Sequence, residues 1–318
     1  MPSKPKLIVI VGPTASGKSE CAVRLAKKFN GEIVSADSRQ IYKGLNIGTG
    51  KVPGRWRKVK GRGEFFVYKK IPHHCIDFVP PRRIFTAAEY QQCAKHAIRE
   101  TARRDALPFL VGGSMFWIDA AVYNLSFPAI KPQEKLRARL AKKNAAELLR
   151  ILVKLDPERA AAIEQKNPRR LIRAIEIARA FGRVPKLAKK IPAYDALWIG
   201  LNPSYEMRSR KIRDRLHARL RMGLIHEAER LHDENVPWKR FYEWGLEYRF
   251  LADYLRGKLA KKEMIAALAR AINDYARRQM VWWKKNRSIR WVTNYRDAES
   301  LLKNFLITPQ RVSSRAAS

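Results

Sequence analysis

Leu7-Ile-Val-Ile-Val11, followed by Gly12-Pro-Thr-Ala-Ser-Gly-Lys-Ser19, decides the fold. The first five residues are apolar and mostly β-branched, the pattern of a strand buried on both faces. The next eight fit G-x-x-x-x-G-K-[ST]. A helical pattern then runs from Glu20 through Ala22, Val23, Leu25, Ala26 and Phe29. In a strand–loop–helix of this kind, backbone N–H groups of Gly12, Pro13, Thr14, Ala15, Ser16 and Gly17 surround a phosphate wherever an N–H exists (Pro13 has none). The positive end of the helix dipole adds to the attraction. Lys18 supplies a point charge to the innermost phosphate, and Ser19 a hydroxyl for Mg²⁺. The expected ligand is a diphosphate or triphosphate.

Working outward, Glu32-Ile-Val-Ser-Ala-Asp37 reads as a second strand ending in an acid. Pro108-Phe-Leu-Val-Gly-Gly113 reads as a third, running into Ser114, which is placed to cap the next helix. Helix 86–104 lies between them. Strands alternating with helices imply a parallel sheet with ligands at the carboxyl ends of the strands. Asp37 then points at the reactive end of the ligand as general base or Mg²⁺ partner, or is a helix-capping residue before Ser38. The third strand ends in Gly-Gly-Ser, without the acid that ATP hydrolysis needs. Phosphate binding is supported and ATP hydrolysis is not.

From about Leu125 to Pro192 the strand signals vanish, and helices are expected at 132–153, 156–165 and 168–181. A strand at Leu197–Leu201 resumes the sheet, and Arg290–Thr293 reads as one more. The fold class is α/β, a P-loop parallel-sheet core with an all-helical insertion domain. The core is expected over 1–124 and 193–307 and the insertion over 125–192, with a disordered tail at 308–318. Residues 51–70 hold eight basic residues against Glu64 alone and read as a mobile basic loop. His73-His74 lacks the spacing of a zinc motif and reads as structural.

In 318 residues, 66 Lys and Arg oppose 29 Asp and Glu, a net charge of +37. One mononucleotide does not account for that excess, whereas a polyanion such as RNA does. Cys21, Cys75 and Cys93 form no C-x-x-C pair and fit a reducing cytosol. No stretch approaches the ~18 apolar residues of a membrane span, and no signal peptide precedes the first strand. The expectation is a cytoplasmic protein, monomeric and without an obligate protein partner. Seven basic residues share the helix around Arg208–Arg221 with Asp214 as its only acid. Ile212, Leu216 and Leu220 form its buried seam, while Arg208, Lys211 and Arg215 share another face from which an arginine can close over phosphates. In the helix from Glu263 to Arg287, Ile265, Leu268, Ile272 and Tyr275 are the expected core positions.

These motifs, in this order, resemble the tRNA dimethylallyltransferases (isopentenyl-diphosphate tRNA transferases). The resemblance runs from Gly12–Ser19 through Ser35-Ala-Asp-Ser-Arg-Gln-Ile-Tyr-Lys-Gly-Leu-Asn-Ile-Gly-Thr-Gly-Lys51. It continues in Pro72-His-His-Cys-Ile-Asp77, Phe85-Thr-Ala-Ala-Glu-Tyr90, Leu110-Val-Gly-Gly-Ser114, Asn167-Pro-Arg-Arg-Leu-Ile-Arg-Ala-Ile-Glu176 and Tyr275-Ala-Arg-Arg-Gln279. It implies transfer of a dimethylallyl group from dimethylallyl diphosphate to N6 of the adenosine 3′ of the anticodon, in tRNAs reading codons that begin with U. It further implies Asp37 as base and Lys18, Ser19, Ser114 and Arg215 as the diphosphate clamp, with Mg²⁺ on Ser19 and the diphosphate. Asp37, Ser38, Arg39 and Gln40, with Arg169, Arg170, Leu171, Ile172 and Arg173 of the insertion, are implied as contacts to the anticodon stem-loop.

Three positions depart from the family pattern: Ser114 for Thr, Lys211 for Arg, and Leu246-Glu-Tyr-Arg-Phe250 for Ile-Gly-Tyr-Lys-Glu. The cysteines and histidines of a C-terminal zinc finger, which some members carry, are not expected here. Two other classes stay open on the residues alone. A P-loop kinase of a small hydroxyl substrate predicts ATP turnover. A basic RNA-binding protein with a relic P-loop predicts RNA binding indifferent to Asp37.

Overall fold

The computed structural model describes residues 4–59, 61, 63–186 and 192–308. All of the expected tail except Thr308 lies outside that range. The elements run β1 (Lys6–Val11), α1 (Lys18–Lys28), β2 (Gly31–Ala36), β3 (Arg55–Val59), β4 (Gly63–Tyr68), β5 (Ile71–His74), α2 (Ala87–Arg103), β6 (Leu107–Gly112) and α3 (Met115–Val122). Four helices follow: α4 (Glu134–Leu140), α5 (Ala145–Leu155), α6 (Pro157–Ala162) and α7 (Pro168–Phe181). The chain then forms β7 (Asp195–Leu201), α8 (Tyr205–Arg221), α9 (Leu224–Asp233), α10 (Trp238–Trp244), α11 (Leu246–Leu255), α12 (Lys261–Trp283), β8 (Ile289–Val292) and α13 (Tyr295–Ile307). Two compact units result, one of Met1–Asn124 with Ile191–Ser318, the other of Leu125–Lys190.

The first unit is built on a sheet of order β3-β4-β5-β2-β6-β1-β7-β8. β1 lies between β6 and β7, parallel to both, with Ile10 opposite Val111 and Ile199. Its apolar run follows from that position. Leu7, Val9 and Val11 feed one hydrophobic cluster, while Ile8 and Ile10 feed another on the opposite face. β2 pairs in parallel with β6, Ala36 opposite Gly112, so the ends of β1, β2 and β6 come level beside the phosphate loop. The Phe85–Tyr90 motif is a helix start. Thr86 and Glu89 form a capping box on α2, and buried Tyr90 stacks on Trp117 with ring centroids 4.2 Å apart.

Several sequence expectations are corrected. Residues 51–70 contain the antiparallel pair β3–β4, with Trp56 opposite Phe66. Strand β3 lies at the sheet edge, where backbone pairing on one side suffices and charged side chains stand in water. Lys51 is buried: its ammonium donates to Tyr42 O at 2.7 Å and to Asp77 Oδ1 at 2.5 Å. The helix expected at 132–153 is two, because Asn144 and Glu147 form a capping box that starts α5. Arg208 is buried beside Ile212 on α8, whereas Leu220 is only partly buried. On α12 the core positions are Met264, Leu268, Ile272, Ala276, Gln279, Met280 and Trp283; Ile265 only borders the core.

In the helical unit, Leu136, Leu148, Leu152, Leu171 and Ile175 form the core. Asn167 caps α7 through the Arg170 N–H, and Pro168 sits in its first turn. Glu176 has no exposed surface, so its charge must be matched locally. Arg137 supplies a two-pronged pair at 2.8 Å on each oxygen, and the Gln133 N–H and Arg173 Nη1 add bonds at 2.8 and 3.2 Å. Leu171 is fully buried and Ile172 packs on the core, so within 169–173 these two hold the helix in place and Leu171 offers no surface to RNA.

Candidate active site

The phosphate loop leaves β1 in a conformation few side chains adopt. Gly17 caps α1 at φ 87°, and Ala15 also has a positive φ of 64°. Such alternation of handedness turns successive N–H groups toward one concavity. Ser16 Oγ is buried without a protein hydrogen-bond partner, and Lys18 Nζ donates to Pro13 O at 3.3 Å. Burial lowers the Lys18 pKa to about 8; Asp37 opposes the shift and Arg215 adds to it.

A cavity of about 340 Å³ opens over this loop. Residues 14–19 line it, with Asp37, Arg39 and Gln40 from the end of β2, Ser114 from the end of β6 and Arg215 from α8. Gly12 and Pro13 lie at the base of the loop, outside the lining. Ser38 also lies outside it, because its hydroxyl and amide both face Ser114. The Ser38 N–H donates to Ser114 Oγ at 2.9 Å, and that hydroxyl donates on to Ser38 Oγ at 3.2 Å. Ser114 therefore joins two strand ends and does not cap α3 with its side chain, contrary to the expectation from its position before the helix.

The helix cap weighed for Asp37 is not formed, because the chain after it makes a turn. Asp37 Oδ1 accepts from the Arg39 and Gln40 N–H groups at 2.9 and 3.4 Å, closing the turn after β2, while the carboxylate still borders the cavity. Arg39 donates from Nε to Trp244 O at 2.5 Å and lies 5.8 Å from the Tyr275 ring centre. Gln40 donates to Thr49 O at 3.2 Å. Arg169 and Arg170 are exposed on α7 in the helical unit, and Arg173 is tied to Glu176 and Ile130 O.

Sequence reasoning missed the supports. Glu227 accepts from the N–H groups of Asn46, Ile47 and Gly48 at 2.7–2.9 Å and from Tyr248 Oη at 2.8 Å, which fixes the loop leading to Gly50. Glu247 lines the cavity and pairs with Arg219 at 3.1 Å. Gln279, 1% exposed, braces the phosphate loop. The Tyr275–Gln279 motif marked Gln279 without revealing its hydrogen bonds. No signal marked Glu227, which acts on backbone amides about 180 residues away.

For Mg²⁺, the Ser19 hydroxyl and the Asp37 carboxylate, which both line the cavity, are of the hard oxygen donor type this ion prefers. Among the described residues no cluster of three or more His, Cys, Asp or Glu forms a self-sufficient metal site.

Loop, helix terminus and parallel strands define a P-loop α/β protein. The family model described as IPP transferase matches residues 40–286. The chain is 36% identical over 279 residues to tRNA dimethylallyltransferase 1 of Geotalea daltonii, covering 88% of this chain and 86% of the relative. Against tRNA dimethylallyltransferase of Pelotomaculum thermopropionicum it is 36% identical over 307 residues, 94% of each. The crystal structure of the full-length tRNA isopentenylpyrophosphate transferase from Bacillus halodurans matches with a TM-score of 0.68 at 32% identity, covering 95% of this chain and 96% of that one. The chain belongs to the IPP transferase family.

Proposed function

We propose that this protein transfers the dimethylallyl group of dimethylallyl diphosphate to N6 of the adenosine 3′ of the anticodon, in tRNAs reading codons that begin with U. One observation carries the reading: the phosphate loop and the Asp37 carboxylate border the same cavity, so a leaving group and a proton acceptor face one space. The donor diphosphate lies along residues 12–19. Lys18 and Arg215 supply positive charge that tightens as the allylic C–O bond breaks and charge builds on the departing oxygens. The adenine leaves its stack to enter the cavity. Its N6 becomes acidic only as the new C–N bond forms, and Asp37 takes that proton. Mg²⁺, held by Ser19 with the diphosphate, supplies further charge neutralisation to the leaving group when bound.

The helical unit serves as the tRNA-binding insertion through Arg169 and Arg170, and the +37 charge has tRNA as its partner. No helix among the described residues is long and apolar enough to cross a membrane. The reading carries with it a cytoplasmic, monomeric enzyme. Incubation with dimethylallyl diphosphate, Mg²⁺ and unmodified tRNA, followed by nucleoside analysis, tests the reading. N6-dimethylallyladenosine is expected without added nucleotide. Modification that requires ATP hydrolysis would overturn it.

A further inference from the structure

Arg215 and Arg219 lie one turn apart on α8 and both border the cavity. Both reach the same point of the facing loop. A β-carbon added to Gly50 would collide with Nη2 of Arg219 and stand 3.0 Å from Nη2 of Arg215. Gly50 has φ +60°, so this close approach and the local backbone both call for glycine. Burial lowers the Arg215 pKa and the charge of Arg219 lowers it further, the sign expected of two cations facing one space.

Arg219 does not reach this place unaided. Its Nη1 donates to Glu247 Oε1 at 3.1 Å and to Gly48 O at 3.3 Å, and the two side chains are 13% and 8% exposed. Taking such a pair out of water is seldom a net gain in stability. Five cationic residues line the cavity (Lys18, Arg39, Lys51, Arg215 and Arg219) against three acids (Glu20, Asp37 and Glu247), an excess of two positive charges. A diphosphate carries enough charge to satisfy the remainder.

We propose that Arg219 is a second diphosphate-binding guanidinium of this enzyme, and that Glu247 is the positioning residue that holds it toward the donor. The inference rests on the reading that the cavity takes a prenyl diphosphate. Arg219 uses Nη1 for its two protein bonds, which leaves the Nη2 edge beside Arg215 for the donor's terminal phosphate. Glu247 limits its motion and lowers the ordering entropy when the donor binds.

The test is steady-state tRNA prenylation together with calorimetric binding of inorganic pyrophosphate, on wild type, Arg219→Met, Arg219→Lys, Glu247→Gln and the double variant Arg219→Met with Glu247→Gln. Removing a charged two-pronged interaction should raise the donor KM and weaken pyrophosphate by about tenfold to a hundredfold in Arg219→Met, with tRNA KM within about twofold of wild type. Arg219→Lys keeps the charge and the fold but loses the planar fork, and should fall between. Glu247→Gln should weaken pyrophosphate by about twofold to fivefold. The double variant decides the matter. It leaves no unpaired buried charge, so a purely structural pair predicts recovery of wild-type pyrophosphate affinity, which would overturn the proposal. Values equal to those of Arg219→Met support it. Wild type that prenylates tRNA yet shows Arg219→Met unchanged refutes this inference alone, whereas wild type that binds no pyrophosphate refutes the donor reading beneath it.

Discussion

Gln279 fastens the phosphate loop to the strand end beside it: the Thr14 N–H donates to its Oε1 at 2.8 Å, and its Nε2 donates to Gly113 O at 2.9 Å. One buried amide thus fixes the spacing between β1 and β6, across which the donor phosphates must fit. Gln279→Leu keeps the volume and removes both bonds together with a longer one from Thr14 Oγ1 at 3.3 Å, stranding the Thr14 N–H and leaving Gly113 O only the Tyr275 hydroxyl at 3.5 Å. A stability loss of about 1–3 kcal/mol is expected. Donor KM should rise while tRNA affinity stays constant, measured by denaturant titration and donor kinetics. A variant with normal stability and normal donor KM would deny the loop its brace.

Asp37→Asn keeps the shape of the turn and the bonds from the Arg39 and Gln40 amides, since an amide oxygen accepts as a carboxylate does. Only basicity is lost. Single-turnover transfer should fall by about 10²–10⁴ with tRNA affinity nearly unchanged. A single-turnover rate within a few-fold of wild type would remove Asp37 from the proton transfer.

The pKa of Lys18, lowered to about 8, gives a pH dependence of defined sign. The ammonium is present below that value and lost as pH rises through it. In the free enzyme, kcat/KM for the donor should therefore decline above about pH 8. Lys18→Arg, with its higher pKa, should move the decline to higher pH or abolish it. A flat donor profile between about pH 7 and 9.5 in wild type would show that the lysine charge is not used in donor capture.

Glu32 is buried on β2, which raises its pKa, but bonds from His74 at 2.7 Å and Arg104 at 2.6 Å outweigh burial and bring the value to about 2. Its folded pKa is depressed, so its contribution is fully present above the unfolded value near 4.5 and lost as pH falls toward 2. That contribution is on the order of 3 kcal/mol. Wild type should lose stability between about pH 5 and 2 more steeply than Glu32→Gln. Parallel acid titrations of the two would contradict this assignment.

β1 and β6 were legible because a parallel strand buried on both faces reads as a near-continuous apolar run, and β2 was legible through Ile33-Val34 despite buried Glu32 and Ser35. The edge strand β3 was not. Arg55, Trp56, Arg57 and Lys58 are all exposed, and what makes them a strand is pairing with β4, which side-chain chemistry does not record. Lys51 shows the same limit, since its Asp77 partner lies 26 residues away and only the fold reveals a buried ion pair within a basic run. At the site, charged residues that themselves line the cavity (Lys18, Asp37, Arg215) stood out. Glu227, Glu247 and Gln279 hold other groups in place, and their importance depends on distances that no local pattern contains.

The helical unit separates two kinds of arginine that share one motif in the sequence. Arg173 is committed to Glu176 and Ile130 O, so Arg173→Ala leaves a buried carboxylate with one partner fewer. It should destabilise this unit by about 1–3 kcal/mol. Arg169 is exposed, and Arg170 meets Glu164 in a solvent-facing pair at 3.1 Å, which contributes little to stability. If these two grip the anticodon stem, the double variant Arg169→Ala with Arg170→Ala should fold normally. It should weaken tRNA binding and lower the slope of log affinity against log salt by about 0.7–0.9 for each phosphate the protein no longer neutralises. Pyrophosphate binding should not change, because the residues lining the donor cavity all belong to the other unit. Affinity measured across a salt series, with pyrophosphate binding alongside, checks the assignment. An unchanged slope in the double variant would place the RNA-binding face elsewhere, with exposed Arg55, Arg57 and Lys58 on β3 the next group to remove.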